Sequence, residues 1–174
     1  MSQPDPSPRA TPPFRIRPAV PDDSQAIADL VRELAIYEKL EAFAKATAED
    51  FRRHLFGPRP FAEVLIAEVD GEAVGLALFF HTFSTFRGQP GIYLEDLFVQ
   101  PEHRGLGIGK ALLGSLAKLA LERGCGRLEW AVLDWNEPAL GFYKSLGAGP
   151  LDEWITYRIA DEPLARLAQE APNA

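Results

Sequence analysis

Residues 91–110 read Gly-Ile-Tyr-Leu-Glu-Asp-Leu-Phe-Val-Gln-Pro-Glu-His-Arg-Gly-Leu-Gly-Ile-Gly-Lys. The run from Gly91 to Val99 has strand character, and it breaks at Gln100-Pro101 because proline brings no N–H to a ladder. From Ile108 to Arg123 the apolar residues recur at helical spacing, and Gly124 stands where a helix closes. Alternate glycines at 105, 107 and 109 let successive backbone N–H groups converge without interference from Cβ atoms. The positive end of the following helix and Arg104 add attraction for negative charge. Arg104, Gly105, Leu106, Gly107, Ile108, Gly109 and Lys110 thus form a candidate cradle for a diphosphate. A glycine-rich strand-to-helix turn with no ligand is the alternative.

Two familiar glycine-rich patterns fail on spacing. Lys110 stands where G-x-G-x-x-G needs its third glycine. A P-loop needs glycine where Arg104 stands, and Ser or Thr where Ala111 follows Lys110. The surviving pattern is R-x-x-G-x-G after a strand.

Working outward, Asp70-Gly71 between Phe61–Val69 and Glu72–Ser84 predicts a β-hairpin. Phe14-Arg15-Ile16-Arg17 alternates like a strand, and Asp22, Asp23 and Ser24 offer caps for a helix with Ile27, Leu30, Val31 and Leu34 on one stripe. Thr47 with Asp50 approximates a capping box for a second helix ended by Gly57-Pro58. Arg127–Leu133 reads as a buried strand after the 108–123 helix, giving one parallel crossover. Asn136 caps a predicted helix through Leu146, Trp154–Ile159 reads as a terminal strand, and Glu162–Gln169 as a final helix. The order predicts an α/β fold with a mixed sheet and helices on both faces. Met1–Pro13 holds five of the 15 prolines and reads as a disordered tail, leaving 14–174 as one domain.

With 174 residues, a formal charge of −7 and a pI near 5.0, the chain suits one domain without a basic footprint for nucleic acid, and the acidity mildly favours a small cationic partner. The single cysteine, Cys125, excludes an internal disulfide, and the three histidines His54, His81 and His103 lack metal-ligand spacing, so no metal is expected. No apolar run of spanning length or signal-peptide pattern is evident, and a cytoplasmic protein without membrane attachment is expected.

Six segments fall in one order along the chain: Phe14-Arg15-Ile16-Arg17-Pro18-Ala19, Glu33-Leu34-Ala35-Ile36-Tyr37-Glu38, Tyr93-Leu94-Glu95-Asp96, Arg104–Gly109, Asp134-Trp135-Asn136-Glu137-Pro138 and Phe142-Tyr143-Lys144. Together they resemble the diamine and thialysine N-acetyltransferases of the GNAT superfamily. That resemblance implies a mixed, mostly antiparallel central sheet whose central strands splay apart, acetyl-CoA as cosubstrate, a small primary amine as acceptor, and a homodimer. Ser84-Thr85-Phe86-Arg87-Gly88 and Ala131-Val132-Leu133-Asp134-Trp135-Asn136 resemble the thialysine branch, whereas Glu137-Pro138 resembles the polyamine branch. A protein lysine or N-terminal acetyltransferase and a non-catalytic acyl-CoA-binding regulator are the alternatives.

Acetyl transfer to an amine needs a neutral nucleophile, a polarised carbonyl and a protonated leaving thiolate. Tyr143 resembles the family's general acid, and a free phenol of pKa ~10 carries its proton at neutral pH. On a helix with Ala139, Phe142 and Leu146 it also suits core packing. Glu95 resembles the carboxylate that assists deprotonation of the amine. An ordinary glutamate, pKa ~4.3, is a weak base for an ammonium of pKa ~10.4, so relay through water or simple cation binding fits better than direct abstraction. Glu95 and Asp96 point to opposite faces of a regular strand, and only a bulge brings both to one cleft. The backbone of Leu97, Phe98 and Val99 is expected to pair with the pantetheine arm, Asn136 to contact the cosubstrate, and Tyr37 and Glu38 to join Glu95 on the amine side. A helix cap accounts for Asn136 equally well, and a solvated helix face for Tyr37 and Glu38.

Overall fold

The computed structural model describes residues 13–172, so Met1–Pro12 of the expected tail lie outside the described residues. The chain forms two compact units, the first ending at Ala131 and the second beginning at Val132.

The first unit is built on a five-stranded sheet in the order β1 (Arg15–Pro18), β2 (Glu63–Val69), β3 (Glu72–Ser84), β4 (Gln89–Val99) and β5 (Leu128–Trp130). β1 to β4 pair antiparallel, and β4 pairs parallel with β5. The β2–β3 hairpin turns on Asp70 and Gly71, at φ 51° and 88°; two successive positive φ values match the twist of the strands they join. After β1 come α1 (Ser24–Tyr37) and α2 (Ala48–Phe56), and α3 (Ile108–Glu122) forms the crossover between β4 and β5.

Strand alternation gives the sheet two buried faces. Val64 and Ile66 of β2, Leu76 and Leu78 of β3 and Phe98 of β4 pack with Ile27, Leu30 and Leu34 of α1 and Leu55 of α2. The intervening residues Leu65, Ala67, Ala77 and Phe79 are also buried, as are Ile108, Leu112, Leu113 and Leu116 of α3, which packs across the sheet. Fully burying one such large apolar side chain contributes about 2 kcal/mol, so both stripes are needed to hold this sheet. Helices on both faces of a mixed sheet are thus present as expected.

Two register shifts matter. One falls between Ala67 and Glu68; the other lies between β3 and β4, where Leu78 pairs with Asp96 but Phe79 pairs with Leu94, leaving Glu95 as an extra residue. A bulge of this kind raises local twist and bends its strand. The β4–β5 ladder stops at Leu94↔Trp130 while β4 runs on to Val99. This is the splay implied by the resemblance. β5 is shorter than the expected Arg127–Leu133, ending at Trp130 with its last pair to β4.

The second unit holds α4 (Glu137–Ser145) and α5 (Asp161–Gln169). Gly147, at φ 86°, ends α4 with its N–H donating to Lys144 O at 3.0 Å. Trp154–Ile159 is not a strand, contrary to expectation. A ladder needs a neighbour, and no strand occurs among the described residues of this unit.

Candidate active site

The splayed half of β4 leaves one backbone edge open. Gln100 N–H donates to Val74 O on β3 at 2.9 Å, and a Cβ added at Gly75 would lie 2.7 Å from Phe98 O. Phe98 therefore directs its backbone groups to β3, and by alternation Leu97 and Val99 direct theirs to the open edge. Of Leu97, Phe98 and Val99, only Phe98 has its backbone groups engaged with β3. Val99 O already accepts a bond from Arg104 Nε at 3.0 Å, which leaves it one lone pair.

The bulge sorts the two acids. Glu95 is exposed and Asp96 half-buried. Burial, followed by the charges of Glu95 and Glu38, pushes the Asp96 carboxyl up to about 6. Glu38 caps the C-terminus of α1, and burial raises its carboxyl as well. Glu38 and Glu95 thus share one electrostatic neighbourhood with Asp96 at the start of the splayed edge, and their charges raise the cost of ionising Asp96. Asp96 was given no role from the sequence, and its burial beside Glu95 is what the structure adds. Its signal was two adjacent acids inside an otherwise apolar strand, but no glycine or proline announced the bulge beside them.

β4 then leads through a single turn of 3₁₀ helix, Pro101–His103, to the glycine loop. Gly105 and Gly107 adopt φ 80° and 84°, and an added Cβ at either would meet no atom within 4 Å. Glycine is required here by backbone conformation rather than by crowding. Gly107 is the N-cap of α3 and makes no side-chain cap bond, and the first intrahelical bond runs from Ala111 N–H to Gly107 O. The N–H groups of Ile108, Gly109 and Lys110 precede that bond and have no acceptor within the helix, so they point out of its start toward the space around the two glycines. An open, N–H-lined helix start with clear space above left-handed glycines fits a diphosphate. Arg104 does not reach out over it: its guanidinium lies 4.8 Å from the Tyr37 ring centroid and 5.8 Å from that of Phe98. Leu106 and Lys110 are exposed at the loop surface.

In the second unit, Asn136 is buried and caps α4, its Oδ1 accepting from Ala139 N–H at 3.3 Å. Tyr143 is half-buried on α4, its ring centroid 5.3 Å from that of Phe142. Among the described residues no group of three His, Cys, Asp or Glu side chains is arranged to hold a metal, and no helix is long and apolar enough to cross a membrane.

A mixed sheet split beside its parallel pair, leading into an uncapped glycine-rich helix start, is the architecture of a GNAT-type acyltransferase. Residues 26–148 match the acetyltransferase (GNAT) family, and the chain belongs to that family. It is an N-acetyltransferase, and the family uses acetyl-CoA as cosubstrate. A thialysine N-epsilon-acetyltransferase from Bos taurus is 43% identical over 164 residues, which cover 88% of this chain and 96% of the relative. An L-ornithine N5-acetyltransferase from Arabidopsis thaliana is 30% identical, covering 88% of this chain and 87% of its own. Among solved structures, an integron cassette protein from the mobile metagenome of V. cholerae superposes with a TM-score of 0.78 at 28% identity, covering 91% of this chain and 99% of that one.

Proposed function

We propose that this enzyme acetylates the side-chain amine of a small lysine-like amino acid such as thialysine. The observation that carries the reading is the acidic group Glu38, Glu95 and Asp96 at the head of the open β4 edge, which runs directly into the glycine loop. A cationic amine is drawn to the first feature, and a diphosphate is accommodated by the second. The similarity to thialysine and ornithine acetyltransferases supports the same class of acceptor.

Acetyl-CoA supplies an activated thioester. Backbone N–H groups from Gly105 to Lys110 hold its diphosphate, and Leu97 and Val99 align its arm along the open edge. Asn136 contacts it by family resemblance. The acids hold the ammonium with Tyr37 beside them, and Glu95, exposed at the bulge, passes the departing proton to water. Asp96, with its carboxyl near 6, is better matched to proton uptake than an ordinary carboxylate. The amine then attacks the carbonyl carbon directly; as the C–S bond breaks, Tyr143 donates its phenolic proton to the leaving thiolate and is re-protonated through water by the proton that the new amide nitrogen sheds. In this reading residues 14–174 act as one catalytic domain, and the protein works in the cytoplasm as a homodimer, the assembly implied by the resemblance.

The β3–β4 loop favours an amino acid over a polyamine. Thr85–Gly88 contains no carboxylate to pair with a second ammonium, while exposed Arg87 offers a cation for the carboxylate of an amino acid. Side-by-side kinetics with acetyl-CoA should give a higher kcat/KM for thialysine than for spermidine. A preference for spermidine would overturn this acceptor assignment, and a preference for peptide lysine or a peptide N-terminus would move the enzyme to protein modification.

A further inference from the structure

The first residue of R-x-x-G-x-G is turned away from the cradle it introduces. Arg104 Nε donates to Val99 O at 3.0 Å, and the guanidinium rests 4.8 Å over Tyr37 and 5.8 Å from Phe98. A second link lies just upstream, where Gln100 Nε2 donates to Glu33 Oε1 at 3.0 Å in a partly buried contact. Glu33 and Tyr37 are four residues apart on α1 and so lie on one face of that helix. The two ends of the segment between β4 and the glycine loop are therefore fastened to the same helix face. The helix ends one residue later in Glu38, whose charge acts on Asp96.

From these contacts we propose that Arg104 is a positioning residue for the amine side: together with Gln100 it holds the last turn of α1 against the end of β4, and it does not bind the diphosphate. The inference rests on the amine acetyltransferase reading above. The stack and the Nε donor both require a planar guanidinium. Lysine keeps the charge but provides neither, so the conservative change separates positioning from simple attraction of an anion.

The test uses the full chain carrying Arg104→Lys, with steady-state kinetics against thialysine and calorimetric titration of acetyl-CoA without amine. Loss of one exposed cation–π contact and one hydrogen bond should raise the amine KM about 3- to 30-fold, leave kcat nearly unchanged and keep the acetyl-CoA Kd within about twofold. Tyr37→Ala should raise the same KM, and the double variant should go little beyond the larger single effect. A weakened acetyl-CoA Kd with unchanged amine KM would make Arg104 a diphosphate ligand and overturn the proposal, as would additive effects or no change in either constant.

If Arg104→Lys does not fold, Gln100→Ala and Glu33→Ala break the other link. Each should raise the amine KM about two- to tenfold, with no further rise in the pair, and unchanged values overturn the proposal. Hydrogen exchange supplies a readout that needs no turnover. Amides at 36–40 should exchange faster in the link variants than in wild type, and equal rates would reject the link. Absence of amine turnover in the wild type, with faster exchange in the variants, would instead refute the functional reading alone.

Discussion

The starts of α2 and α3 solve the same problem in opposite ways. Every α-helix begins with N–H groups that lack intrahelical acceptors. At α2 the chain answers them itself: Thr47 Oγ1 accepts from Asp50 N–H at 3.2 Å, and the Asp50 carboxylate accepts from Thr47 N–H at 3.0 Å. At α3 the N-cap is Gly107, which has no side chain with which to answer, and the space above it is clear. One helix start uses its donors for stability; the other leaves them open, as the proposed diphosphate contact requires. The start of α4 belongs with α2, because Asn136 caps it, so any chemistry from α4 must come from a side chain rather than from its backbone.

That distinction is sharpened most by Tyr143→Phe. The substitution keeps the ring and deletes only the donor, so turnover should fall about 10²–10⁴-fold while acetyl-CoA affinity changes little. Wild-type turnover in the variant would reduce α4 to packing and leave the leaving thiolate without its assigned acid.

Next in size is Gly107→Val, aimed directly at the open helix start. With no neighbour within 4 Å of an added Cβ, the cost comes from the left-handed φ of 84°, which a β-branched residue adopts only with strain. The loop should relax out of its cradle shape and acetyl-CoA affinity should drop about tenfold or more, with thermal unfolding little changed because the core lies elsewhere. Unchanged affinity in a folded variant would show that the α3 start is a turn like any other.

How much of this was legible in the sequence follows from the range of the interactions involved. Local chemistry was readable: Asp70-Gly71 as a hairpin, Thr47 with Asp50 as a cap, Gly105 and Gly107 as positions that need positive φ. The bulge at Glu95 was not, because it arises from the register between β3 and β4 and leaves no mark in its own residues. The orientation of Arg104 escaped for the same reason. Its charge suggested an anion, while the Tyr37 ring that holds it comes from a helix far upstream. Trp154–Ile159 failed in the opposite direction, since its aromatic and β-branched residues suit a strand but no strand in its own unit pairs with it.

The raised Asp96 carboxyl supplies a test through stability. Folded Asp96 titrates near 6 against an ordinary value of 3.8, so between those limits the folded state binds more protons than the unfolded one. Stability from this group is therefore greatest below about pH 4, declines as pH rises toward 6, and stays low above that. Asp96→Asn should stabilise the protein by about 1–3 kcal/mol at pH 8 and by almost nothing near pH 4. Urea unfolding at the two pH values checks it, and equal differences at both would mean that Asp96 is not held against ionisation.

The smallest expected effect comes from the closed helix start. Thr47→Ala removes the acceptor for Asp50 N–H and should cost about 1 kcal/mol, the usual worth of a threonine cap on an exposed helix. No group assigned to acetyl-CoA or amine binding lies on α2, so kcat and both KM values should stay at wild-type levels. Denaturant unfolding and steady-state kinetics on the same preparation make the comparison complete. A catalytic defect from Thr47→Ala would mean that α2 supports the site through α1, with which it shares the core around Leu55, and the division between a stabilising helix start and a ligand-binding one would fail.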